Sequence, residues 1–382
     1  MAKVRSNVAQ ITTNLRPTVA EINLQAIRKN VRFVVEKVSP AEVMAVVKAN
    51  AYGHGAVEVA KAALQANAKY LGVATLEEGI HLRGNGFVCP IIVLGSFSIE
   101  QAAVFSQYKL SAVVQEEAQL QALSEAVGKN QQTVDIHLKI DTGMGRLGCR
   151  FEQSLAFIRQ AFQCNGLFVA GLLTHFACSD WRDKSFTNLQ LQRFEGIVAK
   201  IEAEGFDVPL KHAANSGAIL DFPQSNLNLV RLGLSMYGYY PSDETSRYSE
   251  LEPALTWKSK VLFIKDVKAG ESVSYNRQYI AETDIKIAIV PVGYADGYRR
   301  GLSNKAEALI RGKRFRIAGM VCMDQIMVVV NSDIQVGDEV VLMGRQGGGE
   351  VSIYELAKIL NTIPYEITTG ISSRAPRTYV NY

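Results

Sequence analysis

The chain has 382 residues, of which 48% are hydrophobic and 20% charged, and it carries a formal net charge of +4. This composition excludes a disordered chain, a collagen and a coiled-coil rod, and the length suits two domains or one large barrel with an added piece. Lys and Arg are scattered rather than gathered into a stripe, which argues against a nucleic-acid or membrane-surface role.

The N-terminal stretch mixes Lys3, Arg5, Asn7, Gln10, Thr12 and Asn14, with no apolar core of signal-peptide length. No run approaches the ~20 apolar residues of a spanning helix. The five cysteines, Cys89, Cys149, Cys164, Cys178 and Cys322, are odd in number and widely spaced, and with five histidines they form no metal-binding spacing. A reducing cytoplasm is the expected compartment.

From Thr18 to about Tyr240, short apolar runs bounded by turn residues read as buried parallel strands. They are Met44–Val47, Tyr70–Ala74, Ile91–Leu94, Ser111–Val114, Val134–Ile140, Leu167–Thr174, Leu210–Ala213 and Leu229–Arg231. Ala56–Ala66, Glu116–Val127 and Asn188–Glu204 show helical spacing between them. Eight such units predict a (β/α)8 barrel over residues 17–245, preferred to an open doubly wound sheet. Pro241–Glu250 reads as a polar linker. Beyond it, β-branched runs at Trp257–Lys265, Ile285–Val292, Ala308–Arg316, Ile326–Val330 and Glu339–Met343 predict a mostly-β domain. That domain takes in residues 1–16 and 246–382, with one helix at Tyr354–Leu360. Gly347-Gly348-Gly349 lacks the Lys-Ser/Thr of a phosphate loop and reads as a hairpin tip.

Barrel chemistry sits where strands end. Strand one ends in Val47-Lys48-Ala49-Asn50-Ala51-Tyr52-Gly53-His54-Gly55. A lysine in the barrel mouth loses hydration, which suits a Schiff-base amine; standing alone it reads better as a snorkelling surface residue, but the glycines, histidine and tyrosine that follow point to close approach of a ligand. Strand five ends in Lys139-Ile140-Asp141, and the following Gly143, Gly145 and Gly148 fit G-x-G-x-x-G. The acid a dinucleotide fingerprint needs ~20 residues on is missing, so the loop is better read as presenting Arg146 to a carboxylate. Strand six brings His175, which could be a core histidine. Strand seven is followed by Asn215-Ser216-Gly217, opening a helix, and strand eight brings Arg231-Leu232-Gly233-Leu234, whose arginine could pair in the barrel rim or face a ligand. A lysine on one side and small residues after strands seven and eight on the other fit pyridoxal 5′-phosphate.

These motifs resemble the alanine racemase family, a pyridoxal-phosphate-dependent group with a barrel and a β-domain. The resemblance covers nearly the whole chain and includes Ser274-Tyr275, Gly293-Tyr294-Ala295-Asp296-Gly297, Cys322-Met323-Asp324-Gln325 and Pro364-Tyr365-Glu366. It implies that Lys48 holds the cofactor and is the base for the D-enantiomer, with Tyr275 of the partner subunit the base for the L-enantiomer. It places Tyr52, Asn215, Ser216, Gly233 and Leu234 about the cofactor, Arg231 against the pyridine nitrogen, and His175 between Arg231 and the catalytic tyrosine. Arg146 and the partner subunit's Met323 take the substrate carboxylate, while Lys139, Tyr294 and Asp324 support the site. Family members often carry Lys139 as a carbamate. The expected activity is interconversion of L- and D-alanine for the cell wall by a cytoplasmic homodimer with shared sites, with no metal, nucleic acid or membrane involved.

One position departs from the family. Ser373 stands where many members have a tyrosine near the cofactor phosphate and substrate side chain, which suggests a pocket that also admits serine. Three other readings compete with it. A decarboxylase of the same architecture would pair the pyridine nitrogen with an acid rather than with Arg231. A non-catalytic pyridoxal-phosphate carrier would lack the second domain that contains Tyr275. A structural barrel would bind no cofactor.

Overall fold

The computed structural model describes residues 16–128, 133–248 and 250–381. It divides into two compact units, one running Gln25–Glu252 and the other formed by Met1–Leu24 with Pro253–Tyr382. The expectation for residues 1–16 lies, up to residue 15, outside the described residues.

Strand β1 (Val19–Asn23) is not a barrel strand. The barrel unit holds β2 (Glu42–Val46), β3 (Tyr70–Val73), β4 (Ile91–Val93), β5 (Ser111–Val114), β6 (Val134–Asp141), β7 (Leu167–Leu173), β8 (Leu210–His212) and β9 (Leu229–Leu232). All are parallel, in the order β9-β2-β3-β4-β5-β6-β7-β8, as the eight apolar runs predicted. Strands β4 and β5 are buried at every residue. Covered on both faces, they read as continuous apolar runs rather than alternating ones. Met44, Ile92, Val113, Leu173 and Leu229, one from each of five strands, pack together as a core cluster. The seam between β8 and β9 is drawn together by the Arg231 N–H, which donates to Ala214 O at 3.0 Å.

The expected barrel limits of 17 and 245 move inward at one end and outward at the other. β1 pairs antiparallel with Leu255–Lys260 and parallel with Arg377–Val380, so it belongs to the β-rich unit. The polar stretch 241–250 does not run free. Ser242 Oγ donates to Asp180 O, the Ser246 N–H to Asp221, and the Glu252 N–H to Asn30 Oδ1, which ties the stretch to the barrel.

The β-rich unit holds β10 (Leu255–Lys260), β11 (Phe263–Val267), β12 (Ile285–Val290), β13 (Glu307–Ile310), β14 (Lys313–Arg316), β15 (Ile326–Val330), β16 (Glu339–Gln346) and β17 (Arg377–Val380). One sheet runs β14-β13-β16-β10-β1-β17 and a second runs β11-β12-β15. Two runs read as single strands are each two. Trp257–Lys265 breaks between sheets, and Ala308–Arg316 is a hairpin turning at Arg311-Gly312, both at positive φ. Gly347-Gly348 forms the tip of a hairpin between β16 and Gly349–Val351, the expected role for the glycine run. No helix among the described residues is long and apolar enough to cross a membrane.

Candidate active site

After β2 the backbone turns left-handed. Ala49, Asn50 and Ala51 sit near φ 51–53° and ψ 48–54°, and Tyr52 has φ 52°. Such a conformation costs L-residues roughly 1–2 kcal/mol each, so the surroundings must hold it. Ala51 N–H donates to Val47 O, Gly53 N–H to Ala49 O, and Ala56 N–H to Asn50 Oδ1. The Ala49 N–H donates to Glu78 Oε1 at 2.6 Å. Lys48 is the last residue before this turn, half-buried at the strand end. Burial pulls its amine pKa down, Arg146 adds to that, and Glu78 opposes it.

Lys139 lies on β6 and is only 6% exposed. Burial, then Arg231, Arg146 and Lys48, bring its amine down to about 8, with Asp141 opposing. Asp141 closes the glycine loop. Its Oδ1 accepts the N–H groups of Gly143, Met144 and Gly145 at 3.0, 2.7 and 3.2 Å. The loop that matched a dinucleotide fingerprint therefore wraps its own carboxylate. Burial would raise that carboxylate's pKa, but these N–H groups and that of Arg146 hold it low. Arg146 itself is exposed on the loop.

Arg231 on β9 is buried and has a dense set of acceptors. It donates to the carbonyls of Thr174, His212 and Ala213 at 2.8 Å each. Its Nη1 also reaches His212 Nδ1 at 3.1 Å, and its Nη2 reaches His175 Nδ1 at 3.2 Å. His212 Nε2 stands 3.0 Å from His137 Nδ1. Burial and then Arg231 push all three imidazoles to low pKa, His137 to about 4. They are neutral at neutral pH. Because Arg231 can only donate, His175 and His212 accept at Nδ1 and carry their proton on Nε2.

Just past β8 and β9, Ser216 Oγ accepts the N–H groups of Gly233 at 3.1 Å and Ser235 at 3.3 Å. A Cβ at Gly233 would stand 3.0 Å from Tyr52 Oη and 3.6 Å from Ser216 Oγ. The glycine thus keeps a small polar niche open, bounded by two hydroxyls. Burial raises Tyr52 to about 12, so its hydroxyl stays protonated and can donate. Asn215, expected at the cofactor, caps the helix Ser216–Asp221 through Ala218 N–H and accepts from Ser179 Oγ. Leu234 starts the 3-10 turn that follows Gly233. A lysine-bearing strand end together with a small niche bounded by two hydroxyls fits a group carrying an aldehyde and a phosphate.

The β-rich unit gathers the remaining candidates. Tyr275 lies on the tip between the paired segments Ser272–Val273 and Tyr279–Ile280, flanked by Ser274, Asn276 and Arg277 at φ 68°, 61° and 50°. It is 67% exposed. Ser274 Oγ donates to Met320 O at 2.7 Å, which binds this tip to the 320–324 loop. Tyr294 N–H and Ala295 N–H donate to the carbonyls of Cys322 and Met323, so the loop with Met323 rests on the Gly293–Asp296 turn. Asp296 is fully buried and pairs with Arg16. Asp324 accepts from Arg374 at 2.7 Å. Ser373 is exposed, next to Ser372, whose N–H donates to Asp296 O. Sequence reasoning passed over Glu78 and Arg16. Thr75-Leu76-Glu77-Glu78 does carry a capping-box signal, and the box forms at the start of the helix Leu76–Gly84.

Two family models match the chain, described as "Alanine racemase, N-terminal domain" over residues 22–241 and "Alanine racemase, C-terminal domain" over residues 254–379. The alanine racemase of Carboxydothermus hydrogenoformans is 45% identical over 369 residues, 96% of this chain and 100% of that relative. The alanine racemase of Halothermothrix orenii is 42% identical over 96% of this chain and 97% of its own length. Among solved structures, alanine racemase from Clostridium difficile 630 superposes with a TM-score of 0.90 at 39% identity, covering 95% of this chain and 96% of that one. A histidine racemase from Leuconostoc mesenteroides also superposes, with a TM-score of 0.90 at 29% identity over 97% of this chain and 99% of that one.

Proposed function

The chain belongs to the alanine racemase family, a family of isomerases, and we propose that it interconverts L- and D-alanine with pyridoxal 5′-phosphate and two bases. One observation carries the reading: the barrel holds Lys48, its amine pKa lowered, together with the Gly233–Ser216–Tyr52 niche, the two anchors that cofactor needs. Pyridoxal phosphate, when bound, supplies an electron sink for the negative charge left on Cα. Lys48 Nζ would hold the cofactor through its aldehyde, and its unprotonated amine would take the Cα proton from the D-enantiomer. Tyr275 Oη of the partner subunit takes it from the L-enantiomer, and each base returns a proton on its own face. Ser216, Tyr52 and the backbone of Gly233 and Leu234 bind the phosphate. Arg231 would face the pyridine nitrogen; a guanidinium gives up its proton reluctantly, so it would leave that nitrogen unprotonated. The Nε2–H of neutral His175 is the donor available to a tyrosinate. Arg146 and the partner subunit's Met323 receive the substrate carboxylate.

Lys139 lies among Arg231, Arg146 and Lys48. A carbamate, formed when the unprotonated amine adds carbon dioxide and releases a proton, would put an anion that orients Arg146 where the ammonium form would put a further cation. The product D-alanine, the cytoplasmic setting and the homodimer complete the proposal, with the D-amino acid destined for peptidoglycan.

The test is racemisation by cofactor-loaded protein of alanine, serine and histidine, each supplied as one enantiomer. Alanine should be racemised, and Lys48→Ala should abolish both turnover and the visible absorbance. Loaded protein inert towards alanine would refute the reading. A second reading, a broader alanine and serine racemase, draws on exposed Ser373 in place of the tyrosine many members carry. A methylene of pocket volume discriminates by only ~10–200-fold, so alanine should remain a substrate. Ser373→Tyr should lower the serine-to-alanine ratio of kcat/KM, and an unchanged ratio would remove the second reading.

A further inference from the structure

The left-handed turn after Lys48 has to be held, because four successive non-glycine residues there occupy a conformation that L-residues avoid. Packing holds only part of it. A cavity of about 240 Å³ borders Val47, Asn50, Ala56 and Glu78, so this side of the turn is kept in place by hydrogen bonds. The shortest of these comes from Glu78. Its Oε1 accepts the Ala49 N–H at 2.6 Å, and its Oε2 accepts the Ala74 N–H at 2.7 Å. The Ala49 N–H belongs to the peptide that immediately follows the Lys48 Cα. The Ala74 N–H lies just past the end of β3, the strand paired beside β2. One carboxylate therefore ties the peptide that aims Lys48 to the neighbouring barrel strand. Glu78 is itself fixed at the third position of the helix Leu76–Gly84, where it closes the capping box with Thr75.

We propose that Glu78 is a positioning residue for Lys48, clamping the Lys48–Ala49 peptide to the end of strand β3 and placing a negative charge beside the lysine amine. The inference rests on the reading of Lys48 as the cofactor lysine. The titratable groups interacting with that amine are Arg146, Lys139 and the neutral His175, with Glu78 the carboxylate among them. Arg146 and burial lower the amine's proton affinity, and Glu78 works against both. Glutamine at 78 keeps the shape, loses the charge, and can accept only one of the two N–H groups. Aspartate keeps the charge but is one methylene too short to reach both.

The experiment uses full-length protein stripped of cofactor and then supplied with pyridoxal phosphate, with capture followed at the visible band across pH. Visible circular dichroism of the loaded protein reports the orientation of the captured group. Glu78→Gln should move the midpoint of capture down by about one pH unit, since an opposite charge has been removed from beside the amine. Glu78→Asp should keep the wild-type midpoint while reducing the dichroism. Should Glu78→Gln not fold, the dichroism of Glu78→Asp decides. Wild-type midpoint and dichroism in the variants that fold would overturn the role of Glu78. Wild-type capture by Lys48→Ala would instead overturn the assignment of Lys48, so the two failures are distinct.

Discussion

Lys139 shows how one buried amine links folding, pH and chemistry. Its pKa in the fold is about 8, below the ordinary 10.5, so between those values the unfolded chain binds the additional proton. Stability therefore rises with pH through that window, and the cost of burying the charge is complete below it. In carbon-dioxide-free buffer, urea unfolding of wild type against Lys139→Met should show the wild type gaining relative stability between pH about 8 and 10.5. A flat difference would mean that the amine is not held neutral. In ¹³C-bicarbonate the wild type should show a carbamate carbon resonance that Lys139→Met lacks. Tyr275 makes a second prediction at this scale. The two enantiomers have equal free energy, so Tyr275→Phe must lower kcat/KM equally in both directions, by roughly 100-fold or more for the loss of one general base. Deuterium from solvent should still enter the Cα of D-alanine, because Lys48 remains. Loss of that exchange as well would contradict the division of labour between the two bases. Lys48, Arg146, His175 and Arg231 were legible in the sequence because they stand at or just after barrel strand ends; Tyr275 and the role of Lys139 came only through the resemblance to the family. Glu78 was not, since a capping-box glutamate looks the same whether or not its second oxygen reaches another loop.

Among the elements, the barrel strands were easy to read because burial on both faces leaves unbroken apolar runs. The left-handed turn was not, since Ala49, Asn50, Ala51 and Tyr52 carry none of the glycines that mark such backbone. The β8–β9 seam was equally hidden, because an arginine side chain and its own N–H close it rather than a strand ladder. Arg231→Ala would strip the charged donors from the carbonyls of Thr174, His212 and Ala213, costing about 3 kcal/mol or more in urea unfolding. Arg231→Lys should recover only part of this, because an ammonium cannot span the same acceptors as a planar fork. Full recovery would show that charge, not geometry, closes the seam. The tip carrying Tyr275 depends on Gly319, where an added Cβ would fall 2.5 Å from Val273 O at φ 76°. Gly319→Ala should displace the tip and lower kcat/KM while the visible cofactor absorbance stays at the wild-type level. A parallel loss of absorbance would show that the damage reaches the barrel unit.

At the scale of the whole molecule, the lysine and the tyrosine belong to different compact units, and the proposal draws its second base from another copy of the chain. That makes the assembly, rather than the single chain, the unit of catalysis. Complementation separates the two cases. Lys48→Ala should be inactive alone and Tyr275→Phe strongly impaired. A heterodimer of the two would contain one site with both defects and one with neither. With random pairing, half the dimers are mixed and half the sites in each are intact, so the mixture should recover about a quarter of wild-type activity. Recovery should follow the rate of subunit exchange after mixing and vanish if the chains are cross-linked as homodimers first. A mixture that stays inactive after full exchange would mean that each chain supplies both bases to its own site.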